Sequence, residues 1–235
     1  LLKKKALNIN FTGWIMTSIE NYKGHDFDRL AYCYDAFLKI ALFPFGGEER
    51  FRKDLYHYLQ KHTNLPSHNF KVADFGCGTG SFLLNLPKTW HIKCIDSSER
   101  MLDIAREKLK EWDIEFIRAS VFDSLFFPEE FDLCIASFFL HELPPSVSWK
   151  AFDRIVRWTK RGGYIFIVDF IGSLSTKWKI ISAPLRFFEP KDFRETMIKV
   201  LPFLKDDVRV RLVSEKKYLF GLITAQILRK EIEIP

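Results

Sequence analysis

The stretch 72–80, V-A-D-F-G-C-G-T-G, constrains this chain more than any other. Val72 and Ala73 finish a buried strand, and Asp74 and Phe75 stand at its carboxyl end. Gly76, Gly78 and Gly80 then alternate with Cys77 and Thr79. Alternating glycines after a strand let the backbone turn tightly and come close to a ligand, because no Cβ is in the way. The apolar run 82–86 reads as a helix whose first N–H groups are free at its start. The dinucleotide fingerprint needs its third glycine one place later, where Ser81 stands. Asp74, ahead of the first glycine, suits a cation or a hydroxyl better than a pyrophosphate. The bland alternative is a tight strand-to-helix turn that binds nothing.

Around this loop the apolar pattern predicts strands over 70–75, 91–95, 114–119, 131–136 and 164–170. Asp96-Ser97-Ser98 supplies an N-cap for a helix over 98–110, with Met101, Leu102, Ala105 and Leu109 on one face. A second helix covers 146–159, and Gly162-Gly163 leads into the fifth strand. Short apolar strands alternating with helices imply a parallel, doubly wound sheet. After Asp169 comes an aromatic-rich segment, then a helix over 190–200, then strands over 208–213 and 218–228 joined by a turn at 214–217.

Upstream, residues 1–25 read as an arm. Phe27, Leu30, Ala31, Tyr34, Phe37, Leu38 and Ala41 recur at helical spacing until Pro44, Gly46 and Gly47 break the pattern. A further helix follows in E-E-R-F-R-K-D-L-Y-H-Y-L-Q-K-H, with Phe51, Leu55, Tyr58 and Leu59 on one face. The expected organisation is the arm 1–25 and one domain over 26–235, made of a helical cover (26–64) and a core (70–235).

Composition narrows the function classes. Hydrophobic residues are 47% of the 235, enough for a globular core. No run reaches the roughly 18 apolar residues of a membrane-spanning helix, and the basic N-terminus lacks the apolar core of a signal peptide. Cys33, Cys77, Cys94 and Cys134 have no metal-type spacing, so a reduced, cytoplasmic protein without a metal centre is expected. A net charge of +6 suits either nucleic acid or an acidic membrane surface. There is no G-x-S-x-G elbow for a serine hydrolase.

The motif at 72–80 resembles motif I of the class I S-adenosylmethionine-dependent methyltransferases. That resemblance implies an α/β fold with a doubly wound, mostly parallel seven-stranded sheet and an antiparallel C-terminal hairpin. It implies S-adenosylmethionine as cofactor, with Asp74 orienting its amino-acid end and Gly76, Cys77 and Gly78 making room for the rest. Ligands of such sheets bind outside the carboxyl ends of the strands. There Asp96, with Ser97, can accept hydrogen bonds from the ribose hydroxyls, or simply cap the next helix. Met101 faces the adenine in the family, or is a core residue. After the third strand, Ser120 stands where the family often has an acidic residue, and Val121 and Phe122 border the base. Ser137 and Phe138 follow the fourth strand near the sulfonium, where an aromatic face favours a cation. His141 and Glu142 stand near the methyl acceptor as candidate bases, and Tyr34 comes from the cover; His141 can equally be structural.

A narrower resemblance lies upstream. F-D-R-L-A-Y-C-Y-D (27–35) and F-P-F-G-G-E-E-R-F-R-K (43–53) are similar to the N-terminal signature of the ubiquinone/menaquinone biosynthesis C-methyltransferases. The match covers Phe27, Asp28, Ala31, Tyr34, Asp35, Phe45 and Gly46. His141-Glu142 replaces the Arg-Asn pair of those enzymes, and G-C-G-T-G replaces their A-G-G-T-G. The implied acceptor is small and lipophilic, such as a quinol precursor, with another lipid or metabolite as the alternative. An RNA-directed enzyme or a non-catalytic binding protein is disfavoured, because no appended nucleic-acid module is visible. The mixture of basic and apolar residues at 177–188 suits a lid over that acceptor or peripheral contact with a membrane.

Overall fold

In the computed structural model, residues 43, 46–66, 68–123, 126–170, 191–218 and 221–231 are described. The expected helix over 26–41, Tyr34, Cys33 and the lid over 177–188 lie outside them. Seven strands form one sheet: β1 (Lys71–Phe75), β2 (His91–Asp96), β3 (Ile114–Arg118), β4 (Phe131–Ser137), β5 (Thr159–Phe170), β6 (Val210–Tyr218) and β7 (Ile223–Lys230). Their order is β3-β2-β1-β4-β5-β7-β6. Pairing from β3 through β5 is parallel, and β7 runs antiparallel to both β5 and β6. The chain order reverses between β1 and β4, so the carboxyl ends of these strands splay at a switch point where ligands of such sheets bind.

Helices α1 (Glu48–His62), α2 (Glu99–Lys108), α3 (Pro145–Trp158) and α4 (Lys191–Lys199) accompany the sheet. Each of the first three buries the apolar stripe that its sequence sets at helical spacing. On α1 this is Phe51, Leu55, Tyr58 and Leu59; on α2 it is Met101, Leu102 and Ala105. Ser98 caps α2, its Oγ accepting from the Met101 amide at 3.2 Å. The central strands are apolar on both faces, as burial under helices requires. Phe75 stacks on Trp158 at 5.3 Å and 15°, which locks the end of β1 against α3.

Three expectations are corrected. The glycine loop does not open an α-helix; it leads into a single 3-10 turn, Leu83–Asn85. Pro87 is the physical reason, because it excludes helical backbone at Leu86, which is extended at ψ 153. Strand β5 begins at Thr159 instead of 164, and the sheet bulges between Phe131 and Leu133 to accommodate it.

The C-terminal hairpin exists, but residues 214–217 are strand and the reversal falls after Tyr218. Polar side chains there are held in place by partners. Asp54 of α1 accepts from Lys216 Nζ and from the Tyr218 hydroxyl, both at 2.6 Å. Glu215 accepts from Gln226 at 3.0 Å across the strand pair. Past Tyr218, Gly221 provides positive φ (91°) between the two strands.

Candidate functional site: a cleft at the strand ends

The three glycines of the loop all have positive φ, 65°, 53° and 70°, which only glycine adopts without strain. They nevertheless do different work. A Cβ on Gly76 would lie 2.3 Å from the Phe139 ring, and one on Gly80 would lie 2.6 Å from Leu109 of the α2 end. Gly76 therefore admits a neighbouring aromatic ring and Gly80 admits close packing, while Gly78 lines the cleft. The loop is pinned to β2: the amides of Gly76 and Cys77 both donate to the Ile95 carbonyl, at 2.9 and 3.1 Å.

Asp96 completes that attachment. Its Oδ2 accepts from the Gly78 amide and its Oδ1 from the Ser98 amide, each at 2.9 Å. One carboxylate thus organises both the glycine loop and the start of α2. Asp96 borders the cleft together with Ser97 and Met101. The turn after β3 is closed by side chains as well: Ser120 Oγ accepts from the Phe122 amide at 3.2 Å, and Asp123 accepts from the Ser120 amide at 2.8 Å. That turn presents Ser120, Val121 and Phe122 to the cleft opposite Asp96.

The far wall comes from the segment after β4. Phe138 has φ 53, a conformation that costs a non-glycine residue on the order of 1–2 kcal/mol. It is held by its amide donating to the Val168 carbonyl at 2.7 Å, and its ring packs on Phe170 and Phe51. Phe138, Phe139, Glu142 and Leu143 line the cleft. Phe139 was missed by sequence reasoning; the doubled Phe after the fourth strand was the available signal.

His141 is placed differently. It is 3% exposed and is not among the residues lining the cleft. Its Nδ1 makes a very short contact with Asp169 of β5, whose other oxygen accepts from the His141 amide at 3.2 Å. Asp169 also accepts from the Phe170 amide at 2.8 Å. The pair fastens the 3-10 turn Leu140–Glu142 to the end of β5 and so sets where Glu142 points. Asp169 is fully buried, and from sequence it only marked where the aromatic-rich segment begins.

Asp74 is the other buried acid. It is 1% exposed, and its Oδ1 has no hydrogen-bond partner. Burial pushes its carboxyl up to about 8; the Arg52 guanidinium of α1 opposes this and the Asp96 carboxylate reinforces it. Asp74, Cys77 and Ser137 do not line the cleft themselves. An unpartnered buried acid beside a glycine loop is the environment that a ligand ammonium would complete.

Known proteins agree with this geometry. A family model described as "Methyltransferase domain" matches residues 72–163. The demethylmenaquinone methyltransferase of Thermotoga maritima is 28% identical over 207 residues, covering 82% of this chain and 86% of that protein. Residues 72–163 thus match a methyltransferase domain, and the chain resembles the class I S-adenosylmethionine-dependent methyltransferases. The demethylmenaquinone methyltransferase of Listeria welshimeri is 26% identical over 184 residues, 74% of each chain. Among solved structures, a SAM-dependent methyltransferase from Aquifex aeolicus shares the fold with TM-score 0.57 at 16% identity, covering 83% of this chain and 98% of the other. The chain has the sheet expected of such enzymes, and the resemblance implies S-adenosylmethionine as methyl donor. Among the described residues no helix is long and apolar enough to cross a membrane, and no group of ligating side chains could hold a metal ion.

Proposed function

We propose that this methyltransferase uses S-adenosylmethionine to methylate a small, lipophilic acceptor of the quinol-precursor class. The observation that carries the cofactor half is Asp96, a carboxylate fixed by two backbone amides at the rim of the cleft. Held in this way, it accepts from vicinal ribose hydroxyls without having to reorganise. Met101, Val121 and Phe122 give the apolar walls that a purine needs, and Ser120 offers a hydroxyl at its edge. The acceptor half rests on the demethylmenaquinone methyltransferase relatives and on the aromatic wall formed by Phe138 and Phe139.

When bound, S-adenosylmethionine supplies a methyl group already activated by its sulfonium. The protein's work is then mainly to position the acceptor and to exclude water. A quinol ring carbon becomes nucleophilic when a ring hydroxyl gives up its proton. Glu142 lines the cleft and is the base we assign to that proton. His141, clamped by Asp169 behind the same turn, positions Glu142. Tyr34 and the segment 177–188, which lie outside the described residues, are proposed to cover the acceptor.

Incubation with radiolabelled cofactor and reduced demethylmenaquinone, alongside lipid, small-molecule and RNA fractions of a cell extract, tests the acceptor. Label in the quinone and lipid fraction is expected. Label in RNA alone overturns the acceptor class. Glu142→Gln is expected to lower kcat about 100-fold or more, the usual weight of a general base, while calorimetric cofactor affinity changes less than about threefold. Loss of cofactor affinity instead would make Glu142 a binding residue.

A further inference from the structure

We propose that Thr196 of α4 is a positioning residue for methyl transfer: its hydroxyl holds the backbone of the turn that carries Glu142 to the cleft. The proposal rests on the reading of Glu142 as the base and adds a residue that fixes where that base stands. Thr196 is fully buried, and its Oγ1 donates to the Leu143 carbonyl at 2.6 Å. Leu143 directly follows Glu142, and both line the cleft.

A helical threonine has a local partner at hand, the carbonyl four residues back. Thr63 and Thr159, the C-cap residues of α1 and α3, both take it: they donate to the Leu59 and Ile155 carbonyls at 2.6 and 2.7 Å. Thr196 instead sends its hydroxyl to a residue 53 positions earlier, on a different element. Threonine is also a weaker helix former than alanine, leucine or glutamate, so α4 carries it at a local disadvantage. The work of this hydroxyl lies outside its own helix.

The turn it reaches has few restraints of its own. Leu140–Glu142 is a single 3-10 turn, closed by the Glu142 amide on Phe139 and the Leu143 amide on Leu140, at 3.2 and 3.3 Å. Both bonds are at the long end for N–H donors, and neither ties the turn to another element. Ahead of Glu142, β5 supplies the anchors: the Val168 carbonyl takes the Phe138 amide, and Asp169 takes the His141 amide. After Glu142, Pro144 and Pro145 have no N–H to give, and the Leu143 carbonyl is tied to α4 through Thr196. The helix packs on this turn and on α3, with Thr196 and Met197 buried. Glu142 thus stands between two anchored residues, His141 and Leu143. Anchors on both sides resist a rotation of the turn that would carry the carboxylate out of hydrogen-bond reach of the acceptor, and a base works only within that reach.

The experiment is steady-state turnover of reduced demethylmenaquinone with labelled S-adenosylmethionine by the full chain. It compares wild type, Thr196→Val, Thr196→Ser, Glu142→Gln and the double variant Thr196→Val/Glu142→Gln. Thr196→Val keeps the volume and removes the hydroxyl, and kcat is expected to fall about tenfold, because misplacing a reacting group by ~1 Å can cost about 100-fold. S-adenosylhomocysteine affinity, read by calorimetry, is expected to stay unchanged in that variant. Thr196→Ser keeps the hydroxyl and is expected to restore most of the lost kcat. In the Glu142→Gln background, Thr196→Val is expected to lower kcat no further, since two changes that act through one group are not additive. A role in packing alone would lower kcat by the same factor in both backgrounds, or equally in Thr196→Ser. Either result overturns the assignment, as does unchanged kcat in Thr196→Val. Should Thr196→Val not fold, Thr196→Ala in the same two backgrounds gives the same reading. If Glu142→Gln itself leaves kcat unchanged, the reading of Glu142 as the base fails, and the role of Thr196 fails with it.

Discussion

The ends of β1 and β2 each deliver one aspartate to the same glycine loop, and the two could hardly be treated more differently. Asp96 is half-buried and holds two backbone amides, so its charge is already compensated before any ligand arrives. Asp74 is fully buried with an oxygen that bonds nothing, and burial pushes its carboxyl up to about 8. The first is built into the fold at the rim of the cleft. The second costs the fold stability, because burial strips its hydration without supplying a full set of partners. A preorganised acceptor needs no reorganisation on binding, whereas an unpaired buried acid couples binding to protonation.

The largest expected effect breaks the Asp96 side of this contrast. Asp96→Ala should weaken S-adenosylhomocysteine about 100-fold or more, for two charge-assisted hydrogen bonds, and should also lower the melting temperature, because the Gly78 and Ser98 amides lose their acceptor. Calorimetry and a thermal melt read the two losses separately. Retained affinity in a variant that still folds would reduce Asp96 to a capping role.

Asp74→Asn should split the two properties that fall together in Asp96→Ala. Cofactor affinity is expected to drop about tenfold or more with the loss of the ammonium partner, while the empty protein becomes more stable at pH 8 and above. The sign follows from linkage. With the folded pKa raised from 3.8 to about 8, the folded state binds the extra proton between these values, so stability falls as pH rises through that window. Asparagine removes the slope. In wild type the same shift makes cofactor affinity rise with pH, approaching tenfold per unit, and level off above about 8. A flat affinity profile between pH 6 and 8 would end the comparison.

The smallest effect sharpens the other rim of the cleft. Ser120→Ala is expected to cost less than about threefold in affinity, because its Oγ already serves the Phe122 amide and one neutral hydrogen bond is worth about 1 kcal/mol. A much larger loss, read by the same calorimetry, would give Ser120 the weight of a charged contact.

Much of this molecule was legible from residue order. The glycine spacing after Val72-Ala73, the acid ending the second strand and the apolar strand pattern are local features. Local backbone preferences and burial periodicity act over a few residues, so a sequence displays them directly. Where the local pattern was ambiguous it misled: S-E-K-K at 214–217 has the polarity of a turn, yet it pairs with β7 along its length, and Asp54, Lys205 and Gln226 hold its side chains.

The class of fold and the set of groups offered at the strand ends follow from residue order alone. The state of those groups depends on which segments pack together. His141 and Glu142 are adjacent in the chain, yet one is clamped behind the turn by Asp169 and the other lines the cleft. Gly76 serves the ring of Phe139, and the rise that burial gives Asp74 is opposed by the charge of a guanidinium on a helix that precedes the whole sheet. Charge, burial and approach distance depend on which segments meet in space. Side-chain chemistry is written along the chain, but the solvation that tunes it comes from residues tens of positions away.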